Sequence, residues 1–208
     1  MAKNVVFVGV FRAFALLLAI ACAPVSATAA DGLPPIADIL SERALGKAEA
    51  PVVLIEYASL TCPHCANFAV ETMPAIKKDY IETGKVKLIY RDFPLDRLAL
   101  TAGMMARCAP QDRYYGLIET LFKTQGTWAR AADPGAALQR LGAIAGLTKE
   151  NFDACIVNKD VFDGMVALRA KGEQEHKVDS TPTFILDGRK MTGDLSLARV
   201  YWTILGDA

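Results

Sequence analysis

An apolar, β-branched run from Val52 to Ala58 is followed within four residues by Cys62-Pro63-His64-Cys65. No other stretch restricts the fold as much. The run reads as a buried strand, and Thr61 can cap a helix that starts at Cys62. Ala69, Met73, Ile76 and Tyr80 follow at three- and four-residue steps, which gives that helix one apolar face. Pro74 lies inside it and should kink it. Gly84 is placed to end it in a left-handed conformation. Val86 to Tyr90 then reads as a second strand. A helix crossing between two strands of one sheet makes them parallel.

From about Leu95 to Gly172 the apolar spacing is helical throughout. Tyr114, Leu117, Ile118, Leu121 and Phe122 mark one amphipathic helix. Leu138, Leu141 and Ala145 mark a second, and Phe152, Ile156 and Val157 a third. Strand signals return at Thr183 to Leu186, with Asp187-Gly188 as a hairpin turn and Lys190 to Thr192 pairing back. Leu195 to Leu205 reads as a closing helix. The expected fold class is therefore α/β, with a helical block at residues 95–172 inserted between α/β parts at 31–94 and 173–208. A chain of 208 residues can bury a real core.

Residues 1–30 are expected to lie outside that fold. They carry Lys3 and Arg12 but no acid, then an apolar run from Ala13 to Ala23, a break at Pro24 and a small-residue cleavage site near Thr28-Ala29-Ala30. This is the layout of a secretory signal peptide. A permanent membrane helix is the alternative, although the run is short of the ~20 residues a span needs. Lipid attachment at Cys22 is a further alternative. Export leaves Cys62, Cys65, Cys108 and Cys155, an even number, in an oxidising compartment. The chain has 23 basic and 23 acidic residues, and this balance argues against a nucleic-acid partner.

Cysteine at the first turn of a helix has defined chemistry. Unpaired backbone N–H groups and the helix dipole favour an anion there, so the Cys62 thiol should ionise readily. Pro63 suits the first turn because its missing N–H costs nothing. His64 can place an imidazole beside the sulfur. Two cysteines one turn apart can also form a small, reducible disulfide. A thiolate at Cys62 stabilises the reduced pair, and this makes the disulfide a stronger oxidant, by about 30 mV for each pKa unit. A structural disulfide and half a metal site with His64 are the competing readings of the same four residues.

Glu56 through Cys65, Glu-Tyr-Ala-Ser-Leu-Thr-Cys-Pro-His-Cys, together with Ser180-Thr181-Pro182-Thr183-Phe184, resembles the DsbA-like periplasmic thiol:disulfide oxidoreductases. The resemblance extends over about residues 45–205. It implies a thioredoxin-like fold with an inserted helical domain, Cys62 as nucleophile and Cys65 as resolving cysteine. Thr181-Pro182 matches the family's cis-proline loop, which lies against the disulfide and pairs with substrate backbone. The best-known oxidase of this kind has Val where this chain has Thr181. An acid at the spacing of Glu56 helps move the proton of the buried second cysteine in this family, although Glu56 could instead face solvent. The implied partners are reduced, newly secreted proteins and a quinone-linked membrane protein that restores the disulfide. No cofactor is implied.

Cys108 and Cys155 bracket the helical block and are expected to form a structural disulfide, with two buried free thiols as the alternative. Trp128, Tyr114 and Tyr115 read as core, and His176 as a packing or surface residue. Arg91-Asp92-Phe93-Pro94 reads as a strand end and turn. A disulfide oxidase acting as a monomer in the periplasm is the expected function. A periplasmic reductase or isomerase, or a metal carrier using Cys62, His64 and Cys65, are the alternatives.

Overall fold

The computed structural model describes residues 32–186 and 188–193, together with Met1. The expected signal segment with Cys22, Asp187 of the hairpin turn and the closing helix at 195–205 lie outside the described residues. A short helix α1 (Ile36–Ile39) leads to strands β1 (Arg43–Leu45) and β2 (Val52–Ala58). A helical run then spans α2 (Pro63–Asn67), a wide π-helical stretch Phe68–Thr72, α3 (Met73–Ile76) and a second π-helical stretch Lys77–Ile81. Strand β3 (Val86–Asp92) follows. Next come helices α4 (Arg97–Cys108), α5 (Tyr114–Lys123), α6 (Gln125–Trp128), α7 (Pro134–Ile144), α8 (Lys149–Ile156) and α9 (Lys159–His176). The hairpin β4 (Thr183–Leu186) and β5 (Arg189–Thr192) ends the described chain.

Among the described residues the sheet has five strands in the order β1-β3-β2-β4-β5. β2 and β3 run parallel, as a crossover helix requires, and every other neighbouring pair is antiparallel. Register places Arg43 opposite Tyr90, Tyr90 opposite Glu56, and Glu56 opposite Phe184, so these side chains form one row across the sheet. On that face Phe68, Ile76 and Tyr80 pack over Leu54, Leu88 and Phe184. On the other face Tyr57, Phe93, Val178 and Ile185 form a smaller cluster. The helical block has its own core around Met104, Leu117, Leu121, Trp128 and Phe152, and Cys62 and Cys65 belong to it.

Pro74 acts differently from a simple kink. It sits in the first turn of α3, between two π-helical stretches whose wider turns bond to the fifth residue back, as Glu82 N–H does to Lys77 at 2.8 Å. The missing donor is thus absorbed by changing the helix pitch on both sides. Gly84, at φ +78°, ends the run. Two other expectations are corrected. Helix extends beyond Gly172 to His176, whose Nδ1 is 2.8 Å from the Tyr57 hydroxyl. Val157 is 79% exposed, because Phe152 and Cys155 set the buried face of α8. Two positions past Cys155 a side chain has turned by ~200°. Tyr114 and Trp128 are buried, whereas Tyr115 is half-buried and donates from its hydroxyl to the Arg43 carbonyl at 2.6 Å.

Candidate active site

β2 delivers the chain at Ala58 to a tight turn in which Cys62 N–H donates to the Ser59 carbonyl at 3.0 Å. Cys62 keeps extended backbone (φ −80°, ψ 119°) and is itself the N-cap of α2, with Pro63 in the first helical turn. Thr61 does not cap the helix: its hydroxyl donates to Asp96 Oδ2 at 2.6 Å, at the start of α4. Gln125 Nε2 donates to the Leu60 carbonyl at 2.9 Å and the Cys62 carbonyl at 3.0 Å. The helical block therefore grips the cysteine turn at two points. Sequence reasoning missed Gln125 and Asp96, and no local pattern marks them.

Cys62 and Cys65 are free thiols, so this is the dithiol form. Cys65 is fully buried and Cys62 nearly so, while Pro63 and His64 are exposed. The Cys62 sulfur lies 3.3 Å from the Thr181 carbonyl, and the Thr181–Pro182 peptide is cis. The structure thus brings together Cys62, Pro63, His64, Cys65, Thr181 and Pro182. The Thr181 hydroxyl is buried and has no hydrogen-bond partner among the described residues.

The two thiols are driven apart in acidity. Cys62 is lowered from 9.0 to about 5. The hydrogen bond from the Cys65 thiol contributes most, burial opposes it, and the Thr181 side chain and the backbone amides of Cys65 and His64 add to it. The contribution of His64 here is its amide at the helix N-terminus. Cys65 is raised, first by its bond to Cys62, then by burial, and also by the charges of Cys62 and Glu56. One sulfur holds negative charge at neutral pH and its neighbour holds the proton.

Glu56 is 3% exposed, so it does not face solvent. Burial raises its carboxyl from 4.5 to about 8, and its Oε1 has no hydrogen-bond partner among the described residues. The folded protein therefore holds this proton more tightly than the unfolded chain does. Stability falls as pH rises from 4.5 to about 8, and the whole cost is present above that. In the disulfide form, where Cys62 does not titrate, the parent is expected to lose up to about 4 kcal/mol relative to Glu56→Gln between these limits. Denaturant unfolding at the two pH values measures it, and parallel pH dependences in both proteins would refute it.

Cys108, at the end of α4, and Cys155, in α8, are joined by a disulfide with their Cα atoms 6.3 Å apart. It closes a sequence separation of 47 residues, worth about 4 kcal/mol in the chain-entropy account. Among the described residues no three His, Cys, Asp or Glu side chains converge as they would around a metal ion.

A sequence family described as thioredoxin matches residues 40–204. Among solved structures, alpha-DsbA1 of Wolbachia pipientis is 31% identical with a TM-score of 0.73, covering 83% of this chain and 91% of that one. BdbD of Bacillus subtilis shares the fold at 23% identity and a TM-score of 0.69, over 85% of this chain and 96% of its own. A Rickettsia typhi relative named for protein-disulfide oxidoreduction is 28% identical over 149 residues, 71% of this chain and 55% of that protein. The chain thus spans little more than half the length of that curated relative.

Proposed function

Since this chain belongs to the thioredoxin family and is DsbA-like, we propose that it is an exported thiol:disulfide oxidoreductase that donates a Cys62–Cys65 disulfide to reduced, newly secreted proteins. The observation that carries this reading is the split acidity of the pair: Cys62 at about 5 and Cys65 pushed up beside it. A disulfide whose outer sulfur is that stable as a thiolate is opened readily by another thiol.

In this reading a substrate thiolate attacks Cys62, the Cys62–Cys65 bond breaks, and Cys65 leaves with the electron pair. A second substrate thiolate then attacks the substrate sulfur of the mixed disulfide. Cys62 leaves as thiolate and the substrate gains a disulfide. Glu56 supplies and later recovers the proton of Cys65. Thr181 and Pro182, beside Cys62, receive substrate backbone, and exposed Pro63 and His64 form the adjoining surface. The Cys108–Cys155 bond holds the helical block. Residues 31–94 and 173–208 form the thioredoxin-like part around an insertion at 95–172. Residues 1–30 are the cleaved export signal, the protein works as a periplasmic monomer, and a quinone-linked membrane protein reoxidises it.

Thiolate absorbance of the reduced protein against pH, combined with equilibration in glutathione buffers, tests this. The expected thiolate midpoint is about 5. Lowering a thiol from the ambient pH of 7 to that value makes the disulfide about 60 mV more oxidising. A midpoint near the ordinary thiol value with a reducing potential would replace the oxidase by a reductase. Tight stoichiometric metal binding without disulfide exchange would replace it by a metal carrier.

A further inference from the structure

We propose that the cleft between the Pro74-containing helical run and α5 is a binding site for a small neutral phenol with a single ring, whose hydroxyl is held by Glu56 and Tyr90. The site goes beyond the oxidoreductase reading, since no thiol takes part in it.

The cleft has a volume of about 280 Å3. An engineered apolar cavity of about 150 Å3 holds benzene, so one substituted ring fits here. One wall is the part of the helical run where the pitch widens. Ala69 lies in the π-helical stretch Phe68–Thr72, Lys77 and Lys78 lie in the stretch Lys77–Ile81, and Met73 and Pro74 lie between them. π-Helical turns are frequent at functional sites. Phe122 of α5 belongs to the other wall. Ala69 and Met73 are only half-buried although both pack against core clusters, which leaves apolar surface for a ligand.

The polar end of the cleft fixes the head group. Glu56 and Tyr90 are register partners on β2 and β3, and both line the cleft. They are 3% and 2% exposed, and neither Glu56 Oε1 nor the Tyr90 hydroxyl has a hydrogen-bond partner among the described residues. Buried polar atoms in that state are few in folded proteins and call for a use. The Tyr115 hydroxyl, by contrast, is engaged by the Arg43 carbonyl. A ligand hydroxyl satisfies both open atoms at once: it donates to Glu56 Oε1 and accepts from the Tyr90 hydroxyl.

A charged head is a poorer match. Glu56 keeps its proton at neutral pH, with burial placing it at about 8. A carboxylate would lose its water to lie beside that carboxyl, and an ammonium would enter a row that ends on the Arg43 guanidinium. At the mouth Lys77 and Lys78 are balanced by Glu82 and Glu119, so no net charge selects the ligand there. The Phe122 ring stands edge-on to Tyr90 with centroids 6.3 Å apart. With the Met73 thioether it favours an aromatic body.

Titration of 4-propylphenol into the disulfide form of the protein, followed by calorimetry and backbone amide shifts, tests the site. One equivalent is expected to bind with a dissociation constant of about 1 mM or tighter, with the largest shifts at residues 69–73 and 118–122. 4-Propylanisole, which cannot donate, should bind about fivefold more weakly, and Tyr90→Phe should weaken the phenol by a similar factor. Glu56→Gln keeps a donor and an acceptor, so binding should stay within about twofold. Gly116→Phe fills the cleft from α5, where a new Cβ meets no atom within 4 Å. Ala69→Phe fills it from the other wall, so a loss of folding in one plug leaves the other. A folded plug should weaken binding at least about tenfold. Equal binding of phenol and anisole, tighter binding of 4-propylbenzoate, parental binding in a folded plugged protein, or an absence of saturation would overturn the site. None of these outcomes depends on the Cys62 thiolate, whose titration decides the oxidoreductase reading separately.

Discussion

Exchanging Cys65 for Ser is expected to stop the catalytic cycle with substrates bound, and exchanging it for Ala is expected to weaken Cys62 as well. In either variant Cys62 thiolate can attack a substrate disulfide, form a mixed disulfide and release the other substrate sulfur as thiolate. No second sulfur remains at position 65 to resolve the link, so covalent adducts accumulate on Cys62. The two variants separate in acidity. The hydrogen bond from Cys65 is the largest cause of the low Cys62 value of about 5. Serine keeps a donor at that place and alanine removes it. The thiolate midpoint of Cys65→Ala should therefore rise by at least about one pH unit, a tenfold loss of thiolate below the midpoint, with Cys65→Ser in between. Absorbance titration and non-reducing electrophoresis read both effects. A Cys65→Ala midpoint equal to that of the parent would show that amides and Thr181 suffice without the partner thiol. Absence of adducts in both variants would contradict Cys62 as the exchanging sulfur.

What the sequence disclosed is what short-range physics controls. Val52 to Ala58 is an almost continuous apolar, β-branched run of strand length, and the cysteine turn follows it within four residues. Tyr114, Leu117, Ile118, Leu121 and Phe122 share a helix face by spacing alone, and all five are buried. Thr61 shows the limit. By propensity it is a capping residue, yet Asp96, 35 positions away, takes its hydroxyl, and the cap falls to Cys62. Gln125 was invisible for the same reason, since its two carbonyl partners lie 63 and 65 residues back. The strand position of Glu56 suggested burial, but the cleft beside it exists only once α5 lies across the helical run. Pro74 was legible as a disturbance and not as the pair of π-helical stretches that accommodates it. Asp92 was legible as part of a strand end and turn, and β3 does end there, but not as one half of a buried ion pair, because its partner is another element's charge.

That pair supports the largest stability effect expected. Arg107 Nε donates to Asp92 Oδ2 at 2.6 Å, with the side chains 3% and 4% exposed. Arg107 Nη1 also donates to the carbonyls of Ile39 at 3.1 Å and Ser41 at 2.9 Å, tying α4 to the segment before β1. Arg43 extends the network by donating to the Arg107 carbonyl at 3.2 Å. Removing one partner leaves a buried charge without its counter-charge, at a cost of about 3–5 kcal/mol. Arg107→Leu should therefore destabilise by that amount, because the buried Asp92 side chain loses both its counter-charge and its Nε donor. Removing both charges deletes the Coulombic gain and both desolvation costs together, so Asp92→Leu with Arg107→Leu should cost less than the sum of the single changes. Denaturant unfolding of the four proteins gives the coupling. A strictly additive cycle would mean the two charges contribute independently, through the carbonyl contacts of Arg107 and the packing of Asp92 against α4, where a Cβ at Gly103 would lie 3.0 Å from its Oδ1. The Asp92 backbone pairs with Ala58 and the next residue's N–H donates to the Ala58 carbonyl at 2.8 Å, so the pair anchors the strand end that launches the cysteine turn. Loosening it should raise the amide exchange of residues 58–62 before global unfolding.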